Sequence, residues 1–199
     1  MQLRSGKDRE ILMVLIGFLL VLFLLLGLAY LVFRIIVRGD YQRRGRLSAV
    51  TSALELLMFM AVFCFPFIYS DTGWGWFWSS SAPVGSTRWI TGMLVVGLGF
   101  LASFGTMFWF GLRRAFGVQV EGLVRSGPYR FSRNPQVLGG FLLVLGCCLI
   151  WPSWYNLGWI LLYAFTAHMM VVTEEEHLKD VFGEEYEVYC RETPRYLFF

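Results

Sequence analysis

Charge is what this chain has least of. Lysine, arginine, aspartate and glutamate make up 16% of its 199 residues, and there are only two histidines. A soluble domain of this length keeps about a quarter of its residues charged, so an ordinary water-soluble globule is excluded. Cysteine is sparse as well. Cys64, Cys147, Cys148 and Cys190 show no CxxC spacing, and the first three sit inside apolar runs. That argues against a disulfide framework and against a metal site, and leaves packing as their role. Internal repeats and low-complexity tracts are absent, so no solenoid or disordered array is indicated. No nucleic-acid partner and no metal are expected.

What is abundant is hydrocarbon: 57% of residues are hydrophobic and the mean hydropathy is +0.58. Ile11 to Phe33 and Ile90 to Leu112 each run 23 positions without a charge, long enough to cross a hydrocarbon core of roughly 30 Å. The first run is too long for a signal h-region and has no small-residue cleavage site, so it reads as a retained span. We expect an all-α polytopic membrane protein, one domain over 1–199. It would have five transmembrane helices at about 11–33, 47–69, 90–112, 137–151 and 157–172, by the length a span needs. The last two are short, and "WPSWYN" between them reads as a tight turn of a helical hairpin. Residues 1–112 then form a three-span scaffold, and 113–199 a loop, the hairpin and a C-terminal helix.

The basic residues set the orientation. Arg34, Arg38, Arg43, Arg44 and Arg46 fall between the first two spans. Arg113, Arg114, Arg125, Arg130 and Arg133 fall between the third and fourth, and Lys179, Arg191 and Arg195 in the tail. That is 13 of the 17 basic residues on one side. Arg4, Lys7, Arg9 and Arg88 remain for the other. The positive-inside rule therefore places both loops and the tail in the cytoplasm and the N-terminus outside. Trp74, Trp76, Trp78, Trp89, Trp151 and Trp154 fall at the non-cytoplasmic ends, as an interfacial aromatic belt does; "GWGWFW" as a substrate platform is the alternative.

Three features converge on the cytoplasmic side. The stretch "SGPYRFSRNPQVLGG", residues 126–140, carries two helix-breaking prolines, Pro128 and Pro135. It reads as an ordered loop with free backbone donors at the mouth of an apolar segment. Gly139 and Gly140 allow close approach of a ligand or a neighbouring helix; the plainer alternative is a membrane-entry loop whose arginines bind headgroups. In "TEEEHLKDVFGEEYEVYC", residues 173–190, Leu178, Phe182, Tyr186 and Tyr189 recur at helical spacing, with Gly183 as a break, so an amphipathic helix leaves the fifth span. Glu174 and Glu175 stand where it meets water. They can bind an amino or ribose group or pair with Arg130 or Arg133, or else form a solvated helix start in which Glu175 pairs with Lys179. Finally, Glu55 lies inside the second span, about 12 Å past its start at a helical rise. An intramembrane carboxylate marks a functional position by default, as substrate contact, proton acceptor or partner of an arginine. Glu121 and His168 are weaker candidates.

The two stretches "GPYRFSRNPQVLG" and "EEEHLKDVFGEEYEVYCRETPR", separated by a membrane hairpin, resemble the isoprenylcysteine carboxyl methyltransferase and phospholipid methyltransferase family of integral-membrane enzymes. The likeness covers about residues 122–197. The family's halves read G-P-Y-R-x-x-R-H-P-x-Y-x-G and E-E-x-x-L-x-x-x-F-G-x-x-Y-x-x-Y, followed by Pro-Arg. The resemblance implies a loop for S-adenosylmethionine made by Gly127, Pro128, Tyr129 and Arg130 with Arg133, Asn134, Pro135 and Gly139. It carries Glu174, Glu175, Leu178, Phe182, Gly183, Tyr186, Tyr189, Pro194 and Arg195 into the second half. It also implies a lipophilic substrate that enters from the bilayer between helices, in the plasma (inner) membrane of a prokaryote or the endoplasmic reticulum of a eukaryote. Asn134 stands where the family has histidine, and Val137 where it has tyrosine. Asparagine still hydrogen-bonds but cannot titrate.

The sulfonium donor brings its own leaving group, so the protein mainly aligns the reactants and excludes water. A carboxylate acceptor needs no general base, which makes O-methylation of an isoprenylcysteine-type carboxylate the first expectation. An amine acceptor must lose a proton, and Glu55 or Glu121 then gains a task. Tyr129, Phe131 or Tyr186 offers an aromatic face to the cationic donor, and Arg130 or Arg133 can hold a carboxylate. Arg133 and Glu55 are the candidate catalytic residues. The rival readings are a phospholipid-type N-methyltransferase, an NADPH-dependent sterol or enone reductase sharing part of the signature, and a non-enzymatic lipid-binding membrane protein.

Overall fold

The structure, a computed structural model, describes residues 6–69, 84–111 and 122–197. Trp74, Trp76, Trp78, Arg113, Arg114 and Glu121 lie outside them. Every regular element among the described residues is helical, because uninterrupted apolar runs in hydrocarbon must satisfy their backbone polar groups within the segment.

The first helix is much longer than its apolar run. Helix α1 (Gly6–Tyr30) passes without a break into a π-helical stretch, Leu31–Val37, and then α2 (Arg38–Arg44). Gly45, at φ 64°, ends it by returning its N–H to the Tyr41 carbonyl. A candidate span of 37 residues, Asp8–Arg44, is about 55 Å long, so its last turns project beyond a core of roughly 30 Å. The Arg34–Arg44 stretch, read from composition as loop, is helix. Asp40 fixes the reversal that follows: its Oδ2 accepts the Ser48 N–H and the Thr51 hydroxyl, both at 2.7 Å.

Helix α3 (Ala49–Tyr69) returns through the apolar layer, and α4 (Thr87–Phe110) starts at Ser86, whose hydroxyl accepts the Trp89 N–H at 3.2 Å. Helix α5 (Pro135–Ile150) begins on a proline that needs no intrahelical partner there. It is joined to α6 (Tyr155–Phe182) by the tight turn expected at "WPSWYN", where the Asn156 amide donates to the Trp151 carbonyl at 2.7 Å. Gly183, at φ 50°, separates α6 from α7 (Glu184–Glu192). Where five spans were expected, four helices among the described residues are long and apolar enough to cross a membrane; α5, with 16 residues, is shorter. Helix α6 runs ten residues past the boundary expected at 172.

Helix α6 is central: it packs against α1, α3 and α5, and α5 carries α4 on its far side. Gly99 and Gly139 mark where α4 and α5 cross. A Cβ on Gly99 would lie 2.6 Å from the Leu143 nitrogen, and one on Gly139 would overlap the Ser103 backbone, so the two helices touch backbone to backbone. Large apolar side chains such as Leu20, Phe23, Leu57, Leu101 and Leu161 point outward, which suits a hydrocarbon solvent rather than water.

Candidate active site

The loop that opens the first signature half is shaped by its backbone. Gly127 sits at φ 62°, and a Cβ there would come within 2.7 Å of the Trp109 indole; both facts restrict the position to glycine. Gly127, Pro128, Tyr129 and Arg130 form one 3₁₀ turn. Tyr129 is buried, and its hydroxyl donates to Gln136 Oε1 at 3.3 Å. Its carbonyl accepts the Tyr189 hydroxyl of α7 at 2.7 Å. Burial pushes the Tyr189 hydroxyl up to about 12, against the pull of Arg133, so it remains a donor at any physiological pH.

Arg133 and Glu175 meet, as one of the alternatives in the sequence allowed. Arg133 Nε donates to Glu175 Oε1 at 3.1 Å, its Nη1 to the Cys190 carbonyl at 3.1 Å, and its backbone N–H to the Pro194 carbonyl at 2.9 Å. Arg195 supplies the opposite side, with Nε and Nη2 on Glu175 Oε2 at 2.9 and 2.7 Å. This carboxylate raises the Arg195 guanidinium further above its already high value. Both oxygens of Glu175 are therefore engaged, and the Arg133 and Glu175 side chains are only 10% and 11% exposed. Lys179, the expected helical partner of Glu175, instead reaches across Gly183 to Glu187 at 2.8 Å.

Asn134 joins the same clasp. Its amide donates to the Arg195 carbonyl at 3.1 Å, which also receives the Ser132 hydroxyl at 3.2 Å; Ser132 in turn accepts the Asn134 N–H at 3.1 Å. Where the family carries histidine, this chain has a donor whose state does not change with pH. Loop, α6 and tail are thus fastened through Arg133, Asn134, Glu175 and Arg195. Tyr186 lies buried beside them, edge-on to Tyr189 at 6.2 Å, and among the described residues its hydroxyl has no hydrogen-bond partner.

The neighbouring carboxylate is different. Successive helical residues differ by about 100° around the axis, so Glu174 turns away from the clasp. Among the described residues it forms no hydrogen bond or ion pair. Glu174 is half-buried. Within electrostatic range lie Tyr129 of the loop, Tyr41 of α2 and Glu55 of α3. Glu55 is 8% exposed, and its Oε1 has no hydrogen-bond partner. The arginine partner, one of the roles open to Glu55 in the sequence, is not found among the described residues, and its charged neighbour is another carboxylate.

The remaining candidates divide. Arg130 is exposed, with no ion pair among the described residues. Pro135 starts α5, and Gly139 is filled by the α4 backbone. Gly140 lies against the Tyr163 hydroxyl, which donates to the Val137 carbonyl at 2.9 Å. His168 Nδ1 lies 3.1 Å from the Tyr196 hydroxyl. Tyr41 was missed by sequence reasoning, although its spacing of 34, 38 and 41 with two arginines is the signature of a continued helix face.

A sequence model of the phospholipid methyltransferase family matches residues 87–185, in agreement with the family resemblance drawn from the motif. The match spans α4, the loop, α5, α6 and the start of α7; it takes in Arg133, Glu174 and Glu175 and leaves out Tyr41, Glu55, Tyr186 and Arg195. Comparison with curated proteins and with solved structures gives no match. A membrane methyltransferase is the general reading that the family match and the apolar helices support.

Proposed function

We propose that this chain transfers a methyl group from S-adenosylmethionine to the amine of a lipophilic substrate. The observation that carries the reading is the pair Glu174 and Glu55: one half-buried and one buried carboxyl without hydrogen-bonding or ionic partners among the described residues, close enough to feel each other's charge. Two carboxyls so placed cannot both stay ionised unless a cation lies between them. O-methylation, the first expectation from the motif, would bring a third carboxylate to this place, and the nearby Arg133 is already occupied by Glu175.

The residues fit the cofactor the family uses. When bound, S-adenosylmethionine supplies a methyl group on a sulfonium that departs as a neutral thioether. Glu174 suits the amino group or ribose of that molecule, the Tyr129 ring suits its positive charge, and the exposed guanidinium of Arg130 suits its carboxylate. Glu55, deeper in the apolar layer, accepts the proton that an ammonium must lose before its nitrogen lone pair can attack. Arg133 acts as a positioning residue: it fixes the loop from which Tyr129 hangs. Helices α3 and α4 share no substantial packing, which leaves a lateral way in for a lipid tail. By the positive-inside rule the loop and tail face the cytoplasm.

The test is thermal unfolding of the purified protein in detergent, followed by transfer of labelled methyl. S-adenosylmethionine or S-adenosylhomocysteine should raise the midpoint and NADPH should not, since a ligand that binds only the native state stabilises it. Label should then pass to amine-headed lipids and not to prenylated or fatty carboxylates. Stabilisation with label on a carboxylate would retain the methyltransferase and discard the amine. Stabilisation by NADPH alone would favour the reductase reading. A folded protein indifferent to both cofactors would discard the enzyme.

A further inference from the structure

On the opposite face of the α6 end from the Arg133 clasp, α2 and α6 enclose a cleft of about 360 Å³, lined on the α6 side by positions that the signature leaves unspecified. Its lining includes Arg38, Tyr41, Gln42, His177, Lys179 and Asp180. Arg34 Nη2 reaches Glu176 Oε1 at 2.8 Å and Arg38 Nε reaches Oε2 at 2.9 Å, so this one acid is matched by two bases. Arg38 uses only its Nε in that pair and is 46% exposed, which leaves its terminal N–H groups for another acceptor. His177 is 8% exposed, stacked on Tyr41 at 4.1 Å and 11°, and its Nε2 has no hydrogen-bond partner. The π-helical stretch that carries Arg34 lies beside it; such irregular turns are frequent at functional sites.

We propose that this cleft binds a phosphate ester that itself donates hydrogen bonds, the chemistry of a glycerol-type phospholipid headgroup, at a site separate from methyl transfer. Arg38, Lys179 and Gln42 present donors to phosphate oxygens, while the His177 ring, whose other nitrogen faces the Gly45 carbonyl, offers Nε2 to a headgroup hydroxyl. Asp180, which has no ion pair among the described residues, accepts from headgroup hydroxyls and disfavours a bare dianion. The position agrees: Arg38 lies beyond the 23-residue apolar run of α1, at the level where headgroups meet a membrane helix, and basic pockets between helices there recognise anionic lipids. Occupancy would brace Tyr41 against His177, one side chain away from Glu174.

Thermal unfolding with added lipid tests this independently of any methyl transfer. Phosphatidylglycerol, whose headgroup has no amine, should raise the midpoint by about 3–6 °C at ten times its dissociation constant, and phosphatidylcholine should not. Arg38→Gln should lose most of that increment. His177→Phe, which keeps the ring stack and removes the nitrogens, should lose it too, with each variant compared to its own lipid-free midpoint. Soluble glycerol 3-phosphate giving the same increment would keep the site and make its ligand aqueous. Equal responses to the two lipids, or variants that respond like the parent, would overturn the proposal.

Discussion

Two adjacent residues of the same kind, Glu174 and Glu175, occupy opposite situations at the end of α6. Around Glu175 both carboxylate oxygens have an answer: two arginines and the carbonyls of Cys190, Pro194 and Arg195 converge in a clasp that joins the chain between residues 132 and 134 to its tail. Around Glu174 the nearby ionisable groups Glu55, Tyr41 and Tyr129 are carboxylate or phenol, and among the described residues no cation pairs with it. A saturated charge stabilises a shape, whereas an enclosed unsaturated one costs stability and persists where a ligand completes it. The difference separates scaffold from chemistry within a single helical turn.

The sharpest way to break this comparison is on the saturated side. Glu175→Ala leaves Arg133 facing no counter-charge, and breaking a buried pair in this manner costs about 3–5 kcal/mol. The lower end is expected because Arg195 is 40% exposed. Denaturation of the variant in detergent should show that loss, and Glu175→Gln should show a smaller one. On the unsaturated side, Glu55→Gln should leave the unfolding midpoint unchanged or higher, since it removes a buried charge without a partner. It should lower the turnover rate roughly 10²-fold or more, the usual worth of a general base. Cofactor affinity should hold. The smallest effect belongs to the rim of the clasp: Tyr189→Phe removes one hydrogen bond to the Tyr129 carbonyl and should cost about 1 kcal/mol, with little change in turnover.

The helices were legible because hydrocarbon solvent leaves the backbone few options. Runs of 23 uncharged residues announce spans, and the two signature halves announce that loop and tail meet. Boundaries were less legible. The stretch from Arg34 to Arg44 reads as a charged loop, yet it continues α1, because Arg34 and Arg38 find Glu176 on a helix distant in sequence. Likewise the acidic stretch from Thr173 to Asp180 extends α6 and does not begin a new helix. The roles of Glu174 and Glu175 could not be told apart in the sequence, since adjacency says nothing about which of two directions holds the arginines. Gly139 illustrates the same limit: close approach was foreseen, but whether to ligand or to helix depends on Gly99 of α4, 40 positions earlier. Asn134 was read as an altered cofactor contact; its amide is engaged by the tail carbonyl of Arg195.

The central claim is that the Glu174 side of α6 receives the methyl donor while the Glu175 side only shapes the pocket. Calorimetric titration of S-adenosylmethionine into the parent protein and into Glu174→Gln, both in detergent and with equal unfolding midpoints, tests it directly. The account predicts a saturable heat for the parent and an affinity at least tenfold weaker for Glu174→Gln, about 1.4 kcal/mol. Equal affinities, or a folded parent that takes up no S-adenosylmethionine, would contradict it.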